Sequence, residues 1–120
     1  MIPLITSTEL EKIGITKEEL LSKFNTQLIK DFERGGLENY LQPLVSFEYN
    51  DIRQQLNKTL SEILDKESSK YQPLLYLIDI SEKDISTIFN QQNNDRILTI
   101  ADLIIKRILQ KVVLKLVYSK

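Results

Sequence analysis

At 120 residues the chain is the length of one ordinary domain, and its 42% apolar and 28% charged residues are a globular composition, neither disordered nor membrane-embedded. Sixteen Lys and Arg against 17 Asp and Glu leave a formal net charge of −1, which argues against capture of nucleic acid by bulk charge. There is no Cys, His or Trp, so zinc held by Cys or His, thiol redox chemistry, Cys nucleophiles and His-based triads are excluded.

The first fifteen residues read as a short helix or capped turn, Thr8 to Ile13, stopped by Gly14. A stronger start follows. Thr16 can cap, Glu19 stands three residues on as a capping-box partner, and Ile15 can staple onto Leu20. Leu20, Leu21, Phe24, Leu28 and Phe32 then share one face, and Gly35-Gly36 ends a helix expected over about 17–34. Residues 37–49 are irregular, because Pro43 disfavours helix at Gln42. Val45, Phe47 and Tyr49 alternate with polar residues, the chain's one strand-like signal, but no second alternating run exists to pair with it. An extended connector whose aromatics dock on a bundle fits better.

Asn50 is the expected cap of the next helix, with Ile52, Leu56, Leu60, Ile63 and Leu64 as its apolar stripe. Lys66–Lys70 is a polar linker, and Pro73 suits a first helical position. Residues 74–80 are apolar nearly all round, compatible with a buried helix or a buried strand; Pro73 and the leucines favour helix. Ser81 restarts a helix, with Ile85, Ile88 and Phe89 on one face, and Asn90–Asp95 is a polar loop. Thr99 is the expected cap of the last helix, with Asp102 in its first turn. Ile105, Ile108, Leu109, Val112, Val113 and Leu116 are its core stripe, and about twenty residues give it some 30 Å. The fold class is therefore all-α: a single-domain bundle of four or five helices with a long C-terminal helix at its centre. The alternative is α+β, with 44–49 and 74–80 as a two-stranded element.

Chemistry is thin. Asp31 falls inside the apolar arc of its helix, and Asp79 sits inside the most apolar segment of the chain. Buried carboxylates need a cation or several hydrogen-bond donors. A general acid/base dyad is one reading, and a structural ion pair, for example Asp79 with Arg107, is the preferred one. Asp79, Glu82 and Asp84 lack the Gly and distal Glu of a calcium loop and read as an acid-rich helix start. Gly35-Gly36 lacks the residues of a phosphate loop. A helix-turn-helix over 81–110 is disfavoured by its long, Gly-free connection and by the apolar residues crowding the second helix's start.

Lys106, Arg107, Lys111, Lys115 and Lys120 stand in the last fifteen residues with no acid among them, the chain's one charge asymmetry. Leu103, Ile104, Leu114 and Val117 flank the core stripe as an apolar surplus. The expectation is a non-enzymatic protein-interaction module that binds another protein or itself. Its candidate surface is Leu103, Ile104, Lys106, Lys111, Leu114, Lys115 and Val117. The alternative is a nucleic-acid-binding or regulatory protein using the basic last helix. No cofactor, metal, small-molecule substrate or membrane span is expected, no secretory signal is legible at Met1–Ile5, and the cysteine-free composition suits the cytoplasm.

Overall fold

The computed structural model describes residues 11–44, 46, 48–90 and 96–118. It is all-α, with helices α1 (Lys17–Arg34), α2 (Tyr49–Lys66), α3 (Tyr71–Ile78), α4 (Glu82–Phe89) and α5 (Arg96–Tyr118), and 3-10 turns at Glu38–Tyr40 and Ser68–Lys70. No strand occurs among the described residues, and Leu74–Ile78 is helical, which removes the two-stranded alternative. Of the proposed N-terminal helix, residues 11–13 are helical and Gly14 takes a left-handed φ of 85°; Thr8–Leu10 lie outside the described residues, as do Val45, Phe47 and 91–95.

Local signals account for both ends of α1. Thr16 Oγ1 accepts from Glu19 N–H at 3.1 Å, the expected N-cap. At the other end Gly36 N–H bonds Glu33 O and Leu37 N–H bonds Phe32 O, both at 2.9 Å, with Gly36 left-handed at φ 70°. This is a Schellman motif, and its apolar contact is supplied by Phe32 and Leu37, both fully buried. Gly35 lies against α3: a Cβ there would stand at ordinary contact distance, 3.4 Å from Leu77 and 3.6 Å from Leu74.

The connector before α2 is held by side chains. Asn25 of α1 grips Leu44 at two points, accepting from its N–H at 3.2 Å and donating to its carbonyl at 3.3 Å. Gln55 of α2 donates to Gln42 O at 2.6 Å. Asn50 does not cap α2; the helix starts one residue earlier, at Tyr49, with Glu48 in the N-cap position. Ser46 organises this corner, accepting from Glu48 N–H at 3.1 Å and donating to Asp51 at 2.9 Å. Pro73 likewise sits within the first turn of α3, which opens at Tyr71. Ser81 caps α4 as expected, accepting from Asp84 N–H at 3.2 Å.

Thr99 is not the cap of α5. The helix begins at Arg96, so Thr99 lies within its first turn and Asp102 beyond it. Burial accounts for this: Ile97, two residues upstream of Thr99, already packs against the core, so core contacts begin before Thr99. Arg96 stands over the Phe89 ring at 5.7 Å, joining α4 to the start of α5. With 23 residues α5 is about 34 Å long and runs most of the 40 Å length of the molecule. It packs against α1, α2, α3 and α4, and the buried apolar residues of all five helices form one cluster around it. No helix among the described residues is long and apolar enough to cross a membrane.

Candidate functional site

α1 and α5 run antiparallel, and polar side chains stitch their seam. Asp31 is fully buried and accepts from Lys111 Nζ at 2.6 Å through Oδ2. Its Oδ1 accepts from Gln27 Nε2 at 3.1 Å and lies 3.9 Å from the Arg34 guanidinium. One turn along α5, Lys115 donates to Gln27 Oε1. Both Asp31 oxygens are thereby occupied, which is what a carboxylate removed from water requires. The helical wheel placed Asp31 inside the apolar arc of α1, and the cation that meets it there is Lys111.

Asp79 was expected near Arg107, and the two do pair, at 2.9 Å. The pair is not buried, however, since the Asp79 side chain is 73% exposed. Asp79 ends α3 in the left-handed region (φ 74°), where Ile80 N–H reaches back to Leu75 O at 3.0 Å. Leu74, Leu75 and Ile78 of the apolar run are buried while Tyr76 is exposed, and Asp79, which leaves the helix, turns outward. Left-handed backbone costs a non-glycine residue free energy, and an exposed ion pair returns little. Asp79→Gly is therefore expected to raise stability by about 0.5–1 kcal/mol, read as a higher urea midpoint at unchanged slope.

The other predicted surface residues divide. Ile104 is fully buried in the core, which removes it from the candidate surface; its side of α5 faces the bundle. Leu103 is half-buried, and Lys111 is turned inward to Asp31. Lys106 and Lys115 are exposed. Leu114 and Val117 stand 47% and 50% exposed, and Tyr118 beside them 80%. Next to this end of α5 a trough of about 730 Å³ is lined by Ser22, Lys23, Thr26 and Lys30 of α1 and by Val112 and Leu116 of α5.

At its α3 end the seam opens into a second, polar cleft of about 370 Å³. α1 contributes Gln27, Lys30, Asp31 and Arg34, and α5 contributes Lys111 and Lys115. Tyr76 and Leu77 of α3 form the third wall, with Asp79 at its end. The stripe Lys23, Gln27, Lys30 and Arg34 on α1 is thus the part of the site that sequence reasoning missed. Its helical spacing was readable, but its neighbour, the basic face of α5, is a tertiary fact.

Tyr49 of α2 donates its hydroxyl to Asp102 of α5, which also accepts from Arg53 Nε at 2.8 Å. Burial, followed by the hydrogen bond and negative charge of Asp102, pushes the Tyr49 phenol up to about 12, with Arg53 opposing. The phenol of Tyr71, also pushed up by burial, lies edge-on to Phe89 with its hydroxyl unpartnered. A phenol raised in the folded state keeps its proton where the unfolded chain has lost it. Its stabilisation is complete below pH ~10 and is lost as pH rises from there toward 12. Stability should therefore fall across that window, and Tyr49→Phe should make the fall shallower while the Tyr71 contribution remains.

Among the described residues no group of three or more carboxylates stands close enough to hold a metal ion, Asp79, Glu82 and Asp84 included. The chain matches no protein-family model, no curated protein and no solved structure.

Proposed function

We propose that the protein is a non-enzymatic helical interaction module that binds a partner protein through the C-terminal end of α5 and the trough beside it. The observation that carries this reading is the trio Leu114, Val117 and Tyr118, large apolar side chains held in water at the end of a helix whose earlier turns form the core. The trough lies along α1 from Ser22 to Lys30, about 12 Å of helix, which suits two to three turns of a docked helix.

Charge selects the occupant. Lys23, Lys30 and Lys115 line the trough, and no acid occurs from Lys106 to Tyr118. A second copy laid along the same face would set lysines against lysines, so an acidic amphipathic helix of another protein is the better complement. For nucleic acid the basic helix offers less than its sequence suggests, because Lys111 is spent on Asp31 and Arg107 on Asp79. We read the compartment as cytoplasmic, on the cysteine-free composition.

Selection from a library of displayed helical peptides tests the reading. Enriched sequences should combine Leu or Phe at i, i+3 or i+4 spacing with Asp or Glu, and should be lost when Leu114 and Val117 are both replaced by Ser. Enrichment indifferent to that double substitution, a concentration-dependent dimer in sedimentation, or salt-sensitive retention on nucleic acid with no selected peptide would each contradict it.

A further inference from the structure

We propose that the polar cleft between α1, α3 and α5 is an anion site that takes a phosphomonoester dianion with a flat, aromatic organic part. Four cations converge there, Lys30, Arg34, Lys111 and Lys115. Against them stands one buried carboxylate, Asp31, while Asp79 at the edge is already matched by Arg107 at 2.9 Å. The surplus is positive by three, more than a monoanion neutralises.

The donors are held ready. Asp31 uses Oδ2 to fix Lys111, whose side chain is only 15% exposed, and one of the three ammonium protons is spent on that bond. Arg34 lies 3.9 Å from Oδ1, beyond hydrogen-bond range, and its side chain is 56% exposed, leaving the guanidinium fork open for two phosphoryl oxygens. Lys30 is exposed on the same stripe of α1. A buried carboxylate that organises cations without meeting solvent is a preorganising element, because the side-chain entropy of Lys111 is already spent before a ligand arrives.

The third wall gives the ligand its other half. Tyr76 is 47% exposed and, with Leu77, separates the cationic cleft from an apolar depression bounded by Gln72 and Pro73. A phosphoryl group against Arg34 and Lys30 would leave its ester group beside the Tyr76 ring, where a planar base or ring can stack. The cleft volume of about 370 Å³ falls within the ~300–1,000 Å³ of ordinary small-ligand sites. The cleft shares Lys30 and Lys115 with the trough but not Leu114 and Val117, so substitution of those two apolar residues separates this proposal from the docking reading.

The test is calorimetric titration of the full chain at low ionic strength, with amide NMR to locate the contact. The probes are inorganic phosphate, adenosine monophosphate and an O-phosphotyrosine peptide. Adenosine monophosphate or the phosphopeptide should bind at roughly millimolar concentration or tighter and move the amides around Arg34, Tyr76 and Lys111. Whichever ester binds more tightly identifies the source of the phosphoryl group. Arg34→Gln and Lys30→Gln, both at exposed positions, should each weaken binding about tenfold, with urea unfolding of Arg34→Gln showing that loss of its 3.9 Å approach to Asp31 leaves the chain folded. Tyr76→Ala should weaken the esters and leave inorganic phosphate unchanged. With no His in the chain, affinity should drop as pH is lowered through about 6 because the ligand, and not the protein, gains a proton. Leu114→Ser with Val117→Ser should bind as the parent does. No binding by any of the three probes would overturn the proposal. So would equal losses from Lys106→Gln, an exposed lysine outside the cleft.

Discussion

Replacing Lys111 with Met is expected to cost about 3–5 kcal/mol of folding stability, far more than a surface lysine should. The reason is Asp31, fully buried and reliant on Lys111 at 2.6 Å for charge compensation. With Lys111 gone, the carboxylate keeps only Gln27 and a guanidinium 3.9 Å away. The same logic predicts rescue. Asp31→Asn added to Lys111→Met removes the buried charge and should recover more than half of the loss, because ion pairs of this kind cost desolvation as well as gaining Coulomb energy. Urea unfolding of the two single variants and the double variant gives the coupling directly. Additive losses would mean that the two side chains act independently.

Phe32→Ala should be comparably severe, about 3–5 kcal/mol. Phe32 is fully buried, packs in the main cluster and supplies the apolar half of the motif that ends α1. Truncation opens a cavity in the core and loosens the turn that sets Gly35 against α3. For a domain whose whole stability is of order 5–15 kcal/mol, such a loss approaches unfolding at body temperature. Leu114→Ala is the matched control. It removes a large apolar side chain that is half in water, and should change stability by less than about 0.5 kcal/mol. A large effect at Leu114 would mean that the end of α5 is core and not surface.

These contrasts also mark what the sequence could and could not say. The limits of α1 were readable because Thr16, Glu19 and Gly36 act on backbone groups within a few residues of themselves. Ser81 was readable for the same reason. Thr99 and Asn50 misled because a cap-forming residue is only a local option, and helix ends follow packing when burial upstream is stronger. Ile97 carried α5 upstream of Thr99, while Tyr49, bonded to Asp102, joined α2 ahead of Asn50. The side of α5 that faces outward was half legible. A wheel separates Leu114 and Val117 from the core stripe, but it could not show that Ile104 is enclosed, since that depends on which helices lie alongside. Charge partners were least legible of all. Arg107 was a sound guess for Asp79 because the two elements are near in sequence, whereas Lys111 is eighty residues from Asp31.

Three chemical features thus coexist in a small bundle: a buried salt link between α1 and α5, a cationic cleft beside it, and bare apolar side chains near the C-terminal end of α5. The proposed docking reading puts partner contact at the bare end of α5. Site-specific photo-crosslinking in the native host tests this most directly, with the probe at Val117 and a control probe at Lys58, exposed on α2. The expected result is a discrete adduct with another protein at Val117 only, formed through an acidic helical segment. Adducts that are absent, equal at both positions, or formed only with the chain itself would contradict it.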